Sequence, residues 1–461
     1  MTSSSQTIAP EAPPHQLDIQ AVIDRQRSIR PHLPLLVLMT FIMLIDGYDI
    51  FMLGKIAPAM AKDFGEPVTA LTIVFVVQQI GLAAGSFLVG PLSDRYGRKK
   101  VLLICVVIFG LLTLGPIWAS SLVEVAILRG IAGLFLAGVI PNAAAMLTEF
   151  APPHRRASFV SIAFTGYTAG GASGALVAMW LLDDYGWEIG FWIGGLAPLI
   201  IAPFFALLTN ESLQFRARRN PSDPQIAKAL KRLEPDLNLE GISHFRIGGE
   251  DARGEGKKSE GGVLAIFQNG RAPTTTLLWV AYFLALGLIS LLGAWMATLF
   301  LELGGIPLSV WAGYSLLSFV GGVAGTSSVG FLMDRFGRAP ILIGLFLTDA
   351  VALAMLGMVP FGSGAFIVMI VLWGYCQAGG QAGLNAICAQ VYPTQIRASG
   401  VGWAFGMGRV GGIAMPAVGG LMLAGEISMT QVFLILAVFP VLVAIALVGI
   451  GWLDARGRLG K

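Results

Sequence analysis

Charge is what this sequence lacks most. Only 12% of its 461 residues are charged, against roughly 25% in soluble domains. Some 55% are hydrophobic, and the mean hydropathy is +0.75. An apolar surplus spread over the whole length cannot be hidden in one water-soluble core, which excludes an ordinary globular protein. A bilayer solvates such side chains directly, provided every backbone polar group is paired within helices or closed barrels. The apolar runs are about 18–25 residues long and do not alternate, so they predict helices and not barrel strands. Cysteine is scarce: Cys105, Cys376 and Cys388 all fall in apolar runs. They read as small packing residues, and no disulfide framework is expected. None of the histidines (His15, His32, His154, His244) falls in an apolar run, so proton chemistry inside a membrane must rest on carboxylates. Residues 1–33 are polar, bear proline and have no apolar h-region. No cleavable signal is therefore expected, and the first span must direct insertion. No Gly-Lys-Thr phosphate loop appears, which argues against a primary pump, and no soluble signalling domain supports a sensor. Neither a cofactor nor a metal is implied, and the net charge of +3 carries no nucleic-acid signal.

The apolar runs predict twelve spans. The first six are 34–55, 70–90, 101–118, 122–148, 157–181 and 190–209. The second six are 275–301, 309–332, 340–359, 364–390, 397–423 and 428–452. The expected organisation is an N-terminal segment 1–33, a six-helix bundle 34–209, a polar central loop 210–274, a second bundle 275–453 and a tail 454–461. Within the loop, 222–233 suits a short surface helix, while the glycine-rich 248–262 suits a mobile linker. Of the 30 Lys and Arg, only Lys55, Lys62, Arg129 and Arg409 lie outside the segments that share a face with the termini. Lys55 and Lys62 are expected in the loop after the first span, and Arg129 and Arg409 inside the membrane. The positive-inside rule then puts both termini in the cytoplasm of a cell whose inner membrane holds the protein.

The chain also repeats. Val89-Gly90-Pro91-Leu92-Ser93-Asp94-Arg95-Tyr96-Gly97-Arg98 after the second span matches Val329-Gly330-Phe331-Leu332-Met333-Asp334-Arg335-Phe336-Gly337-Arg338 after the eighth. Arg156-Ala157-Ser158 and Arg397-Ala398-Ser399 form a second pair at nearly the same spacing. Two six-helix halves in the same orientation follow.

These residues resemble the major facilitator superfamily over essentially the whole chain. Gly90-x-x-x-Asp94-Arg95-x-Gly97-Arg98-Lys99-Lys100 is similar to its signature between spans two and three. Arg129-Gly130-x-x-Gly133 is similar to its span-four element. Asn210-Glu211-Ser212-x-x-Phe215 is similar to its Pro-Glu-Ser element, with asparagine in place of proline. Asp46-Gly47-Tyr48-Asp49, together with Gly138-x-Ile140-Pro141-Asn142, resembles the aromatic acid:proton symporters. The resemblance implies an all-α membrane protein of twelve helices in two pseudo-symmetric bundles. It implies, too, a monomeric importer of an aromatic carboxylate, driven by protons. A non-aromatic organic acid or sugar is the alternative cargo. Drug efflux on the same fold is disfavoured, because span five has no glycine-proline signature.

An ionisable side chain at the bilayer centre costs about 2.5–3.5 kcal/mol, so each one suggests a role. At about 1.5 Å per residue, Asp46 and Asp49 lie roughly 18 and 22 Å from the terminal end of span one, and Arg409 about 18 Å into span eleven. Arg129 reaches a similar level, about 20 Å from that side. These four are the candidates for proton coupling and substrate binding at a midplane site between the halves. Two nearby carboxylates resist ionising together, which favours sharing a proton, and the Arg409 fork suits a carboxylate. The alternatives are a helix break at Gly47 and a structural ion pair. Asp349 in span nine suits a polar helix contact as well as a function. Gln78, Asn142, Tyr167, Tyr282, Trp295, Tyr314, Gln377, Gln381, Asn385 and Trp403 are candidates to line a pocket for a planar ligand. The resemblance further implies a conformational latch of Gly90, Asp94, Arg95, Gly97, Arg98, Glu149 and Arg156, echoed by Asp334, Arg338 and Arg397. Asp94 would bond across to span eleven. Residues at a membrane edge also suit headgroup anchoring.

Overall fold

The computed structural model describes residues 16–25, 32–152, 156–234, 237, 239, 242, 244–246, 266–268, 270–392, 396–425 and 427–455. His15, His154, Lys257, Lys258 and the expected linker 248–262 lie outside these residues, as do the side chains of Arg156 and Arg397.

Strand β1 (Gln16–Asp18) leads into α1 (Ile19–Arg25). The first bundle follows: α2 (Leu33–Asp63), α3 (Leu71–Tyr96), α4 (Arg98–Leu114), α5 (Leu122–Leu136), α6 (Val139–Phe150), α7 (Arg156–Tyr185) and α8 (Glu188–Leu208). Two short helices, α9 (Leu213–Arg219) and α10 (Pro224–Leu233), precede strand β2 (His244–Arg246). The second bundle is α11 (Ala272–Glu302), α12 (Leu308–Phe336), α13 (Arg338–Leu356), α14 (Gly364–Val391), α15 (Arg397–Ala424) and α16 (Met429–Ala455). Among the described residues, eleven helical segments are long and apolar enough to cross a membrane. The remaining long helix, α7, is diluted by the glycines, threonine and serine of 166–174, and it packs between α2 and α12.

Two helices depart most from the sequence reading. Helix α2 does not end near residue 55 but runs on to Asp63. Its 31 residues make about 46 Å at 1.5 Å each, more than the roughly 30 Å apolar core. The fourth span is broken into α5 and α6 at Ala137 and Gly138. Pro141 is the cause: it has no N–H to give the carbonyl of Ala137, and its ring crowds that group.

The repeat is built into the helix contacts. A Cβ on Gly170 of α7 would stand 2.0 Å from the carbonyl oxygen of Leu44 on α2. Its counterpart Gly411 on α15 stands in the same 2.0 Å relation to Phe283 on α11. Only glycine lets these backbones meet, the usual device of helix packing in lipid. The two bundles touch in the half away from the termini. There Phe75 meets Trp295 edge-on at 5.1 Å, and Gln79 Nε2 donates to Ser290 Oγ at 2.8 Å and to the Gly412 carbonyl at 3.2 Å. Toward the terminal face, a Cβ at Gly90, Gly330, Gly402 or Gly406 would meet nothing within 4 Å. The bundles therefore close the far face and part at the terminal one.

On the terminal face a small cap joins two stretches that the sequence treats separately. β1 pairs in parallel with β2, Gln16 opposite His244. Ile19, Val22 and Ile23 of α1 are buried against Phe150, Leu213, Ile226 and Leu230. α10 covers most of the expected 222–233 helix, and Asp223 caps it by accepting from the Gln225 amide at 2.9 Å. That bond, with Arg216 at 2.9 Å, holds the Asp223 carboxyl below its usual range.

Candidate transport site

Asp46 and Asp49 share α2 but serve different neighbours. Arg129 Nη1 on α5 donates to Asp49 Oδ1 at 2.8 Å and to Thr113 Oγ1 on α4 at 3.3 Å, while Nη2 holds Oδ2. The guanidinium stands 5.9 Å from the Phe191 ring centroid, a contact that suits a desolvated cation. This is a closed, bidentate pair tying three helices of the first bundle together. Asp46 is 2% exposed. Among the described residues no side chain bonds it, yet its charge is felt with that of Asp49 and, across the bundle interface, of Arg409 on α15. Arg409 makes no ion pair within 4.0 Å among the described residues. It lines a lobe of about 230 Å³ with Gln78, Gln79, Tyr167 and Ser290. The four charges expected as one cluster thus resolve into a closed pair, Asp49–Arg129, and two charges with no ion pair among the described residues, Asp46 buried on α2 and Arg409 on the wall of the lobe.

The lobe adjoins a larger chamber of about 600 Å³ between the bundles, the two sharing Phe51, Gly54, Tyr167 and Gly293. Lys55 lines this chamber. Its expected place in a loop is corrected: because α2 continues, Lys55 is only 7% exposed. Its Nζ donates to the Phe51 carbonyl at 2.9 Å and stands 5.5 and 5.9 Å from the ring centroids of Phe319 and Phe51. The sequence held a signal for this, since the apolar run resumes at Ile56 directly after the lysine. The opposite wall is an amide ladder on α14, of Gln377, Gln381 and Asn385. Gln381 Nε2 and Tyr282 Oη both donate to Asn385 Oδ1, at 3.1 and 2.8 Å. Behind the ladder lies a small void walled in part by Asp349, where Asp349 Oδ1, Gln377 Nε2 and Gln381 Oε1 have no hydrogen-bond partner.

Of the candidate pocket residues, Gln78, Tyr167, Gln377, Gln381 and Asn385 line the two spaces. The others lie elsewhere. Tyr282 stands behind the ladder, and Trp295 is locked by its Nε1–H on the Pro416 carbonyl at 2.7 Å. Tyr314 packs on Phe361 at 4.7 Å and faces a separate groove. Trp403 is 42% exposed and stacks on Trp279. Asn142 is held by Ser93 and by the Gly138 carbonyl, nearer the terminal face. Length and ring character put all of these in the candidate set, but helix facing decides which reach the chamber.

At the terminal face Arg98 grips Glu149 and lies 3.9 Å from Asp94. The Asp94 side chain is 77% exposed and does not reach α15, contrary to the expected bond, because the bundles part at this level. Arg95 lies over Tyr96. Glu211 accepts from the Lys99 amide at 2.9 Å and so caps α4. Gly97 (φ 101°) and Gly337 (φ 90°) make the two repeated turns in a conformation that favours glycine. Asp334 and Arg338 are exposed and make no ion pair among the described residues.

Comparison with known proteins bears on the family and the fold. The chain is 32% identical to a gallate transporter of Pseudomonas putida, over 94% of its own length and 95% of the relative's. It is 31% identical to a 4-hydroxybenzoate transporter of Acinetobacter baylyi, over 94% and 93%. The fold is similar to the xylose transporter of E. coli in its inward open conformation, with a TM-score of 0.68 at 16% identity over 89% of this chain and 94% of that one. Residues 39–363 and 278–460 match the family model described as Major Facilitator Superfamily.

Proposed function

Because the chain belongs to the major facilitator superfamily of multi-pass membrane transporters, which are not enzymes, we propose that it imports an aromatic carboxylate together with a proton. The observation that carries this reading is Asp46. Among the described residues it is a buried carboxylate that no side chain bonds, within electrostatic range of Arg409, which lines a lobe adjoining a chamber with aromatic and amide walls. The names of the relatives, transporters of gallate and 4-hydroxybenzoate, support the cargo class.

The mechanism follows from charge. An anion entering this space meets the repulsion of Asp46, and an unpaired buried charge is costly. A proton on Asp46 removes that repulsion and frees Arg409 to face the anion, so that each ligand favours the other. Rocking of the bundles about the fixed site then exposes it to either side. The basic residues gathered on the terminal face support cytoplasmic termini and insertion in the inner membrane. Both walls of the site come from one polypeptide, so a monomer suffices.

The test is uptake of radiolabelled benzoate, 4-hydroxybenzoate and gallate into vesicles given an artificial pH gradient. Accumulation of at least one acid is expected, and a protonophore should abolish it. Sodium-dependent uptake that ignores the protonophore would overturn the proton assignment.

A further inference from the structure

Three basic side chains stand within membrane-spanning helices at the transport site, Arg129 and Lys55 buried and Arg409 exposed to the lobe. Arg129 is neutralised by Asp49, and Arg409 lies within electrostatic range of Asp46. Lys55 has no such acid among the described residues. Its ammonium has three donors, of which one is used on the Phe51 carbonyl, and its other neighbours include the faces of Phe51 and Phe319. Holding a cation in such a place is expensive unless an anion arrives to complete it.

Resting on the reading of the cargo as an aromatic acid, we propose that Lys55 is the residue that receives the substrate carboxylate. The chamber of about 600 Å³ lies within the roughly 300–1,000 Å³ usual for small-ligand sites. Phe51 stands edge-on to both Phe319 and Tyr167, at 5.3 and 5.8 Å, which gives a flat ring faces and edges to pack against. The same chamber carries the amide ladder of Gln377, Gln381 and Asn385, which offers hydrogen bonds to polar ring substituents. Lys55, Phe51 and Tyr167 belong to the first bundle, and Phe319 and the ladder to the second. A ligand so held touches both bodies that must move. Lys55 then holds the carboxylate itself, while Arg409, freed by the proton on Asp46, is the second positive charge that the anion faces.

The experiment compares binding of 4-hydroxybenzoate and of its neutral analogue 4-hydroxybenzamide to the purified full-length chain, by calorimetry. Lys55→Gln is expected to lose about 10- to 100-fold in affinity for the acid, the range of one charge-assisted hydrogen bond, while binding the amide no worse than the native protein does. Lys55→Arg should recover much of the loss. Equal affinity of native protein and Lys55→Gln for the acid overturns the assignment and leaves the transport reading standing. Failure of the native protein to bind 4-hydroxybenzoate, benzoate or gallate overturns both. Loss of acid and amide together in Lys55→Gln, with no recovery in Lys55→Arg, makes the lysine a structural residue and refutes the proposal.

Discussion

Asp49→Asn and Asp46→Asn remove the same charge three residues apart and should have opposite consequences. Asp49→Asn leaves Arg129 buried without a counter-charge, and breaking such a pair costs about 3–5 kcal/mol. The expected result is a lower melting temperature and little folded protein. Asp46→Asn removes no bond. The protein should fold as the native one does and exchange substrate in counterflow, but it should not concentrate substrate in reconstituted vesicles. If Asp46→Asn still accumulates substrate fully, the coupling site is elsewhere. Depth along the helices was enough to single out Asp46, Asp49, Arg129 and Arg409, since an ionisable group inside an apolar run is conspicuous in any sequence. Their partners were not legible. At about 100° per residue, positions three apart project about 60° from one another, which sends Asp49 toward α4 and α5 and leaves Asp46 outside that pair. Lys55 escaped notice for a related reason: a lysine near the end of an apolar run resembles the start of a loop until the helix is seen to continue.

The helices themselves were largely readable, because runs of this length and composition have few other ways to satisfy their backbone in lipid. What escaped were features set by single residues or by distant partners. Pro141 breaks a span that hydropathy averages into one, and three-residue strands such as β1 and β2 leave no pattern at all. The turn between α3 and α4 is the element whose role is most open to test. Arg98 holds Glu149 while Asp94 projects to solvent, so in this state the acid has no partner on the second bundle. We expect Asp94→Asn to slow the passage between access states while leaving equilibrium binding nearly intact, the residue being some 15–20 Å from the midplane. Separate measurement of binding affinity and exchange rate decides it. An equal loss in both would place Asp94 in the binding site.

At the scale of the whole molecule, the far face is the closed gate. A Cβ on Gly420 would lie 2.1 Å from Thr72 Oγ1, so cysteines at these two positions are within reach of one another. In a chain with Cys105, Cys376 and Cys388 replaced, a Thr72→Cys, Gly420→Cys disulfide should stop transport, preserve binding from the terminal side and release on reduction. Continued transport by the oxidised protein would mean that the far face need not open. The cap on the terminal face has a consequence of another kind, one of birth order. β1 finds its partner only when residue 246 has been made, which at roughly 5–20 residues per second is about 10–45 s later. By then six spans have entered the membrane, and β1 has waited unpaired at its surface. The first strand synthesised is thus among the last pieces of its half to be seated. A ribosome stalled after the sixth span leaves a nascent chain whose leading end has nothing to pair with.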